Sequence, residues 1–399
     1  MPEARPAASP PSLEELKPRA LALVPVLRER AAQTEALRRV PDESIADLHR
    51  SGLFRMLQPK RLGGSELPYR AIVELGSILA RGCGSTAWVM TNLASHHWML
   101  GMWPAEAQQE IWGKDGADVL IGSAFAFPCG HARKEKGGYR LKGHWPFSSG
   151  IDASTWNIVG ALVQDGGKPP EPRIFIVPEK AYTIIDTWHA IGLAGTGSND
   201  VEIADCIVPD HMTLTPAEIG GGPTPGSRLN PGPLYRLPTF SLFCFILSAI
   251  SLGLAQGAVA EFTASMRLRA STYSSKRLAD LATLQLRLAE AAALTDAAER
   301  MMVGGCDEAT RLTEAGAAIP IEDRVRWRRD AAYGAQMCAK AVDLLFVGSG
   351  GGVIYQSHPL QRIWRDVHAA NGHIMVNWDL AGTLFGRVAF GLPHDMPML

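Results

Sequence analysis

A chain of 399 residues that is 46% hydrophobic has room for two to three domains of roughly 150 residues each and for a substantial core. Lysines and arginines number 39 against 40 aspartates and glutamates, so no net field draws it to nucleic acid or to an anionic membrane, and a neutral small-molecule substrate fits better. Its six cysteines, Cys83, Cys129, Cys206, Cys244, Cys306 and Cys338, form no CxxC or CxxH pair, which argues against a metal site or a redox disulfide and for reduced thiols in a cytoplasm.

Residues 1–12 are rich in Pro and Ala and lack the apolar core of a signal peptide, so a disordered tail and no export are expected. Residues 13–115 carry apolar positions at helical spacing, with Pro41-Asp42 opening one helix and Ser51-Gly52 closing it, and they predict an N-terminal helical domain. Within it, Cys83-Gly84-Ser85-Thr86-Ala87-Trp88-Val89 runs into His96-His97-Trp98. A histidine on an apolar face is by default a satisfied core residue, so a role for His96 needs a second histidine from elsewhere.

Residues 116–218 change to short β-prone runs (Arg173 to Val177, Thr183 to Ile185, Val201 to Val208) between Gly, Pro and Asp turns. They predict a small antiparallel central β domain. Its first motif, Gly143-His144-Trp145-Pro146-Phe147-Ser148-Ser149-Gly150, sets two aromatic rings before two hydroxyls. Such a run can cover a flat heterocycle and reach its polar edge, or it can be a strand ending in a Ser-Gly turn. Its second, Ile191 to Val201 with Gly195-Thr196-Gly197-Ser198 inside, gathers N–H groups and hydroxyls that suit a phosphate or ring edge, or a plain tight turn. It is not a Rossmann fingerprint.

Residues 219–399 start with a Gly- and Pro-rich loop, Gly220 to Pro233, and return to helical spacing, as in the Ala-rich run Leu286 to Ala298, which predicts a C-terminal helical bundle. Phe240 to Ala260 has no charged residue over about the length of a membrane span. Ser241, Ser248, Ser251, Gly253, Gln256 and Gly257 interrupt it and no basic flank supports insertion, so a buried bundle or interface helix is expected. Near the end, Arg365-Asp366-Val367-His368 leads to His373, two imidazoles suited to handling protons on oxygen.

Gly350-Gly351-Gly352, Pro359-Leu360-Gln361-Arg362, Arg365-Asp366, Gly195 to Asp200 and Trp145 to Gly150 together resemble the acyl-CoA dehydrogenase superfamily over nearly the whole chain. Ser85-Thr86-Ala87-Trp88, Trp145 to Gly150, and Asp366 through His368 and His373 to Asn377-Trp378 narrow this. They resemble the flavin-dependent monooxygenases that are oxygenase components of two-component aromatic hydroxylases. The resemblance implies a mainly α fold with a central β domain: helical N-terminal domain, β domain, C-terminal four-helix bundle, assembled as a homo-oligomer, usually a tetramer. It implies reduced FMN or FAD from a separate reductase, by transient contact or diffusion, and O2, which form a C4a-hydroperoxyflavin that hydroxylates a phenol or an indole-like ring.

By the same resemblance Ser148, with Ser149 as runner-up, meets flavin N5, His96 meets the substrate hydroxyl and favours its phenolate, and His373 handles the peroxide proton. Trp145 and Phe147 pack on the flavin, Thr196 and Ser198 meet its edge or phosphate, Arg269 lies near its phosphates, loosely aligned because Tyr273-Ser274 replaces an aromatic-Gly pair, and Asn377 lines the pocket. His368, about one and a half turns before His373, faces elsewhere. A dehydrogenase of this fold needs a carboxylate base, and its usual place, eight residues after Asp366, holds Ile374, while Leu234 to Ala260 contains no Asp or Glu. Without that base, thioester dehydrogenation loses about 100-fold to 10,000-fold. Sulfur or nitrogen oxygenation and a non-catalytic flavin-binding role remain as alternatives.

Overall fold

The computed structural model describes residues 10–113, 118–164, 169–271, 277–394 and 396. Ser12 opens the first helix with a capping box: its hydroxyl accepts the Glu15 N–H and the Glu15 carboxylate accepts the Ser12 N–H, which contributes about 1 kcal/mol. Five helices follow in the N-terminal part, α1 (Leu13–Leu37), α2 (Asp42–Ser51), α3 (Arg70–Ala80), α4 (Gly84–Leu100) and α5 (Ala105–Trp112). All 17 residues of α4 are buried. A helix without a wet face has no amphipathic stripe to orient it, so α4 is held by neighbours on every side.

The strands are β1 (Ile121–Ala124), β2 (Gly130–Glu135), β3 (Gly138–Ser148), β4 (Trp156–Gln164), β5 (Glu171–Pro178), β6 (Thr183–Ile185), β7 (Asn199–Pro209) and β8 (Thr213–Leu214). The expected antiparallel unit is corrected to a mixed sheet, ordered β6-β7-β3-β2-β4-β5-β8, because both β1 and β2 pair with β4 in parallel. Trp145 pairs with Val201 but Ser148 pairs with Asn199, so β3 carries one extra residue there. That bulge coincides with a φ of 67° at Phe147, and it re-aims the side chains on either side of it.

The C-terminal bundle comprises α6 (Thr239–Leu268), α7 (Ala282–Glu314), α8 (Ile321–Gly348), α9 (Pro359–Asn371) and α10 (Trp378–Ala389). α6 is apolar and long enough to cross a bilayer, yet 89% of its most apolar window is inside the fold. It packs on α3, α4, α7, α8 and α9, so it is a core helix. Gly253 permits this closeness, since a Cβ there would stand 2.2 Å from the Ser77 carbonyl oxygen on α3. Tyr273, Ser274 and residues 1–9 lie outside the described residues.

Candidate active site

α4 and β1 bring the first two catalytic candidates together. His96 on α4 is buried, and its Nδ1 lies 2.5 Å from the carbonyl oxygen of Ile121. The next residue, Gly122, faces Ser148: a Cβ at Gly122 would meet the Asn157 amide oxygen at 3.0 Å and Ser148 Oγ at 3.5 Å. Gly150 presses on Val89 and Leu93 of α4, which docks the β3 terminus along that helix. Phe243 stacks on the His96 ring, and Phe125 meets both His96 and Phe243 edge-on and Phe240 likewise. These rings form an apolar wall around one imidazole.

His373 joins the same helix from the other end of the chain, its ring edge-on to Trp88 at 5.8 Å. Trp88 and His96 are eight residues apart on α4, about 12 Å along its axis. Burial pushes both His96 and His373 down to about 4, with Arg328 adding to the effect at His373, so both are neutral imidazoles at neutral pH. Their tautomers are opposed. His96 Nδ1 faces a carbonyl and must carry the proton, which leaves Nε2 as an acceptor, buried and without a partner. His373 Nδ1 instead accepts the Met375 N–H at 3.2 Å, so its Nε2 carries the proton and donates.

A chain of hydroxyls starts at Trp88, beside His373. The Trp88 indole N–H donates to Ser149 Oγ at 3.0 Å, Ser149 and Ser198 share a bond of 2.7 Å, Ser198 and Thr196 share another of 2.7 Å, and Thr196 donates to the Leu193 carbonyl. Asp366 anchors this turn, accepting the Leu193 N–H at 2.6 Å, and burial raises its carboxyl to about 6. Ser148 donates to Asn157 Oδ1 at 3.2 Å, while Asn157 Nδ2 is sealed without a partner. Phe147 is 64% exposed beside them. An orphaned amide donor, four hydroxyls and an exposed ring fit the polar edge and face of a flavin.

Three expected site residues lie apart from the hydroxyl chain. Trp145 is wholly buried and donates its indole N–H to the Gly160 carbonyl at 2.6 Å, so it packs in the sheet core. Asn377 caps α10 by accepting the Leu380 N–H. It lines a cleft of about 500 Å3 between α8 and α10 whose walls include Asp343 and His368 but none of His96, Ser148 or His373. Arg269 ends α6 and donates to the Ser349 carbonyl, 15 residues or about 22 Å along the helix from Leu254, which packs beside Gly84 at the start of α4. The structure does not bring it to the hydroxyl chain.

His368 faces away from His373, as its spacing suggests, and binds Asp343 at 3.0 Å. Sequence reading missed Asn157 and Phe125, which carry no motif. It expects Leu234 to Phe245 to shape the pocket without singling out Phe240 and Phe243, although two aromatics three residues apart at a helix start mark a shared face.

Comparison with known proteins places the whole chain in a family. Residues 22–118 match the acyl-CoA dehydrogenase N-terminal domain and residues 245–378 the acyl-CoA dehydrogenase C-terminal domain. The oxygenase subunit HsaA of a flavin-dependent monooxygenase from Rhodococcus jostii (strain RHA1) is 37% identical over 93% of this chain and 97% of its own. The chain belongs to the oxygenase components of the flavin-dependent monooxygenases. The oxygenase component of the FADH(2)-dependent resorcinol hydroxylase from Rhizobium sp. (strain MTP-10005) is 36% identical, covering 92% of each chain. The crystal structure of 3-HSA hydroxylase from Rhodococcus sp. RHA1 superposes with a TM-score of 0.92 at 36% identity, over 96% of this chain and 99% of that one. This monooxygenase is therefore an oxidoreductase that works with reduced flavin.

Proposed function

We propose that the monooxygenase hydroxylates a phenol or indole-like ring seated between Phe125, Phe240, Phe243 and His96. The reading rests on the opposed tautomers: one buried imidazole presents a free acceptor at Nε2 and the other a donor at Nε2. Ser148, Ser149, Thr196, Ser198 and Phe147 would hold the flavin, with Asn157 Nδ2 offering a further donor. When bound in its reduced form, the flavin supplies, with O2, an electrophilic oxygen atom.

His96 accepts a hydrogen bond from the substrate hydroxyl. A phenol titrates near 10, as tyrosine does, far above an imidazole that burial pushes down to about 4, so the hydroxyl keeps its proton before the reaction begins. In this proposal His96 favours the phenolate character that develops during the reaction. The proton moves as the new C–O bond forms, when the ring turns positive and its hydroxyl strongly acidic. His373 Nε2–H donates to the oxygen delivered from O2.

The test is to supply chemically reduced FMN or FAD with O2 and compare a phenol with its methyl ether. The phenol should give hydroxylated product and the ether mainly hydrogen peroxide. Equal coupling with both would remove His96 from the reaction.

A homo-oligomer, on the tetrameric plan, belongs to the same proposal. It is supported by large apolar side chains left in water on the bundle, including Leu268 at 89%, Phe390 at 81% and Ile354 at 71% exposure. A separate flavin reductase follows from the two-component relatives, and the six free cysteines accord with a cytoplasmic setting.

A further inference from the structure

His96 sits within a helix, but His373 does not. α9 ends at Asn371 and α10 starts at Trp378, so the His373 ring rides on a short turn, with the exposed residues Gly372 and Ile374 on either side of it. The bonds of that turn are local: Gly372 and His373 donate back to the end of α9, and Val376 donates to the His373 carbonyl at 3.0 Å. Local bonds shape a turn without setting its place against the rest of the fold. Packing does not set it on one side either, because Asn371, Val376 and Asn377 border the cleft of about 500 Å3.

Asn371 ties the turn to the bundle. Its Oδ1 accepts from the Ser251 hydroxyl on α6 at 2.7 Å, and its Nδ2 donates to the Ala335 carbonyl on α8 at 2.8 Å. Among the described residues, these are the hydrogen bonds that join residues 371–377 to α6 and α8. A carbonyl only accepts, so the amide nitrogen must face Ala335 and the oxygen must face Ser251. The two arms fix the orientation of the amide as well as its place. α6 also carries Phe240 and Phe243, with Ser251 eight residues beyond Phe243, about 12 Å along the helix. One buried helix thus spaces the aromatic wall from the anchor of the His373 turn. Stability alone does not ask for such a pair, since apolar groups of the same shape can replace both partners of a hydrogen bond at little cost. Fixing register is the best-attested use of polar contacts inside a helical bundle.

We propose that Asn371 is a positioning residue for the hydroxylation: held by Ser251 and Ala335, it keeps the His373 turn in the register that sets the imidazole edge-on to Trp88 with Nε2–H toward the reacting oxygen. The inference deepens the donor role proposed for His373 and rests on it. Loss of either arm leaves flavin and substrate bound but releases oxygen as peroxide.

Asn371→Asp tests this, because it is isosteric and sets an oxygen against the Ala335 carbonyl. In the flavin-free protein the Met375 and Val376 amides, which donate to His373 Nδ1 and to the His373 carbonyl, should exchange with deuterium at least fivefold faster than in wild type. With reduced FMN or FAD, O2 and a phenol, the ratio of hydroxylated product to peroxide should fall at least fivefold, while anaerobic affinities for flavin and phenol stay within twofold. In a His373→Ala background the same substitution should move that ratio by less than twofold. Unaltered amide exchange, a loss of flavin or phenol affinity that matches the loss of product, or an equal fall of the ratio in both backgrounds overturns the positioning role. Should Asn371→Asp fail to fold, Ser251→Ala takes its place: a threefold fall seen only when His373 is present supports the role, and no fall overturns it. An unchanged ratio in His373→Ala alone rejects the donor role of His373 and the inference with it. A lowered ratio in His373→Ala beside an unchanged one in Asn371→Asp rejects the inference alone.

Discussion

Replacing His96 by asparagine separates hydrogen bonding from proton acceptance. The asparagine amide can still donate to the Ile121 carbonyl, which the imidazole holds at 2.5 Å, so the 1–3 kcal/mol that follows from orphaning a buried carbonyl is largely avoided. What is lost is the acceptor at Nε2, and a placed base contributes about 100-fold to 10,000-fold. His96→Asn should therefore lower kcat/KM for a phenol by that range while the protein melts within a few degrees of wild type. Oxygen should still be consumed, as hydrogen peroxide. The pH profile is the sharper check. Because His96 titrates at about 4, its neutral form persists to about pH 5, and kcat/KM should show no acid limb near the ordinary imidazole value of about 6.5. The assay is steady-state product and peroxide yield from pH 5 to 9, with reduced flavin from a separate reductase. An acid limb near 6.5 in wild type that disappears in His96→Asn would refute the argument from burial.

His373→Ala should keep flavin affinity and turn product formation into peroxide release; unchanged product yield would exclude it. Trp145→Phe should lower stability by about 1–3 kcal/mol through the orphaned Gly160 carbonyl and leave flavin affinity unaltered in a fluorescence titration. Acid should destabilise the fold in a definite window: His96, His97 and His373 titrate at about 4, 3 and 4 when folded, below their unfolded value. Their stabilisation is complete above about pH 6.5 and is lost as pH falls toward 4, on the order of 3–5 kcal/mol for each of the fully buried rings of His96 and His97 and less for the half-buried His373. Asp366, raised to about 6, works in the opposite sense, its penalty lifting below pH 6 by about 3 kcal/mol, so melting temperature should drop between pH 6.5 and 4.5, and less steeply in His97→Gln.

The hydroxyl cluster could be read in the sequence because Gly195-Thr196-Gly197-Ser198 and Ser148-Ser149-Gly150 combine tight turns with donors, and the structure joins them through one chain of bonds. Trp145 and Phe147 could not be told apart. Residues two apart on a regular strand share a face, and only the bulge at Phe147 sends one ring inward and the other out. His96 and His97 are equally apolar in context, and what distinguishes them is contact: the Trp112 indole donates to His97 Nδ1, and the aromatic wall surrounds His96. Asn377 before Trp378 reads equally well as a pocket residue or a helix cap, and its cap bond decides. The parallel pairing of β1 and β2 with β4 links segments far apart in the chain, which local composition does not encode.

Because every residue of α4 is buried, almost any change of side-chain volume along it would leave a hole or a clash. Evolution has little freedom to reshape the substrate pocket from that side. New substrate ranges would arise from the opposing wall, at Phe125 before β2 and at Phe240 and Phe243 in the first turns of α6, where the irregular segment from Gly220 to Pro238 can absorb a shift. The imidazole that meets the hydroxyl would stay fixed while the shape of the acceptable ring drifts around it.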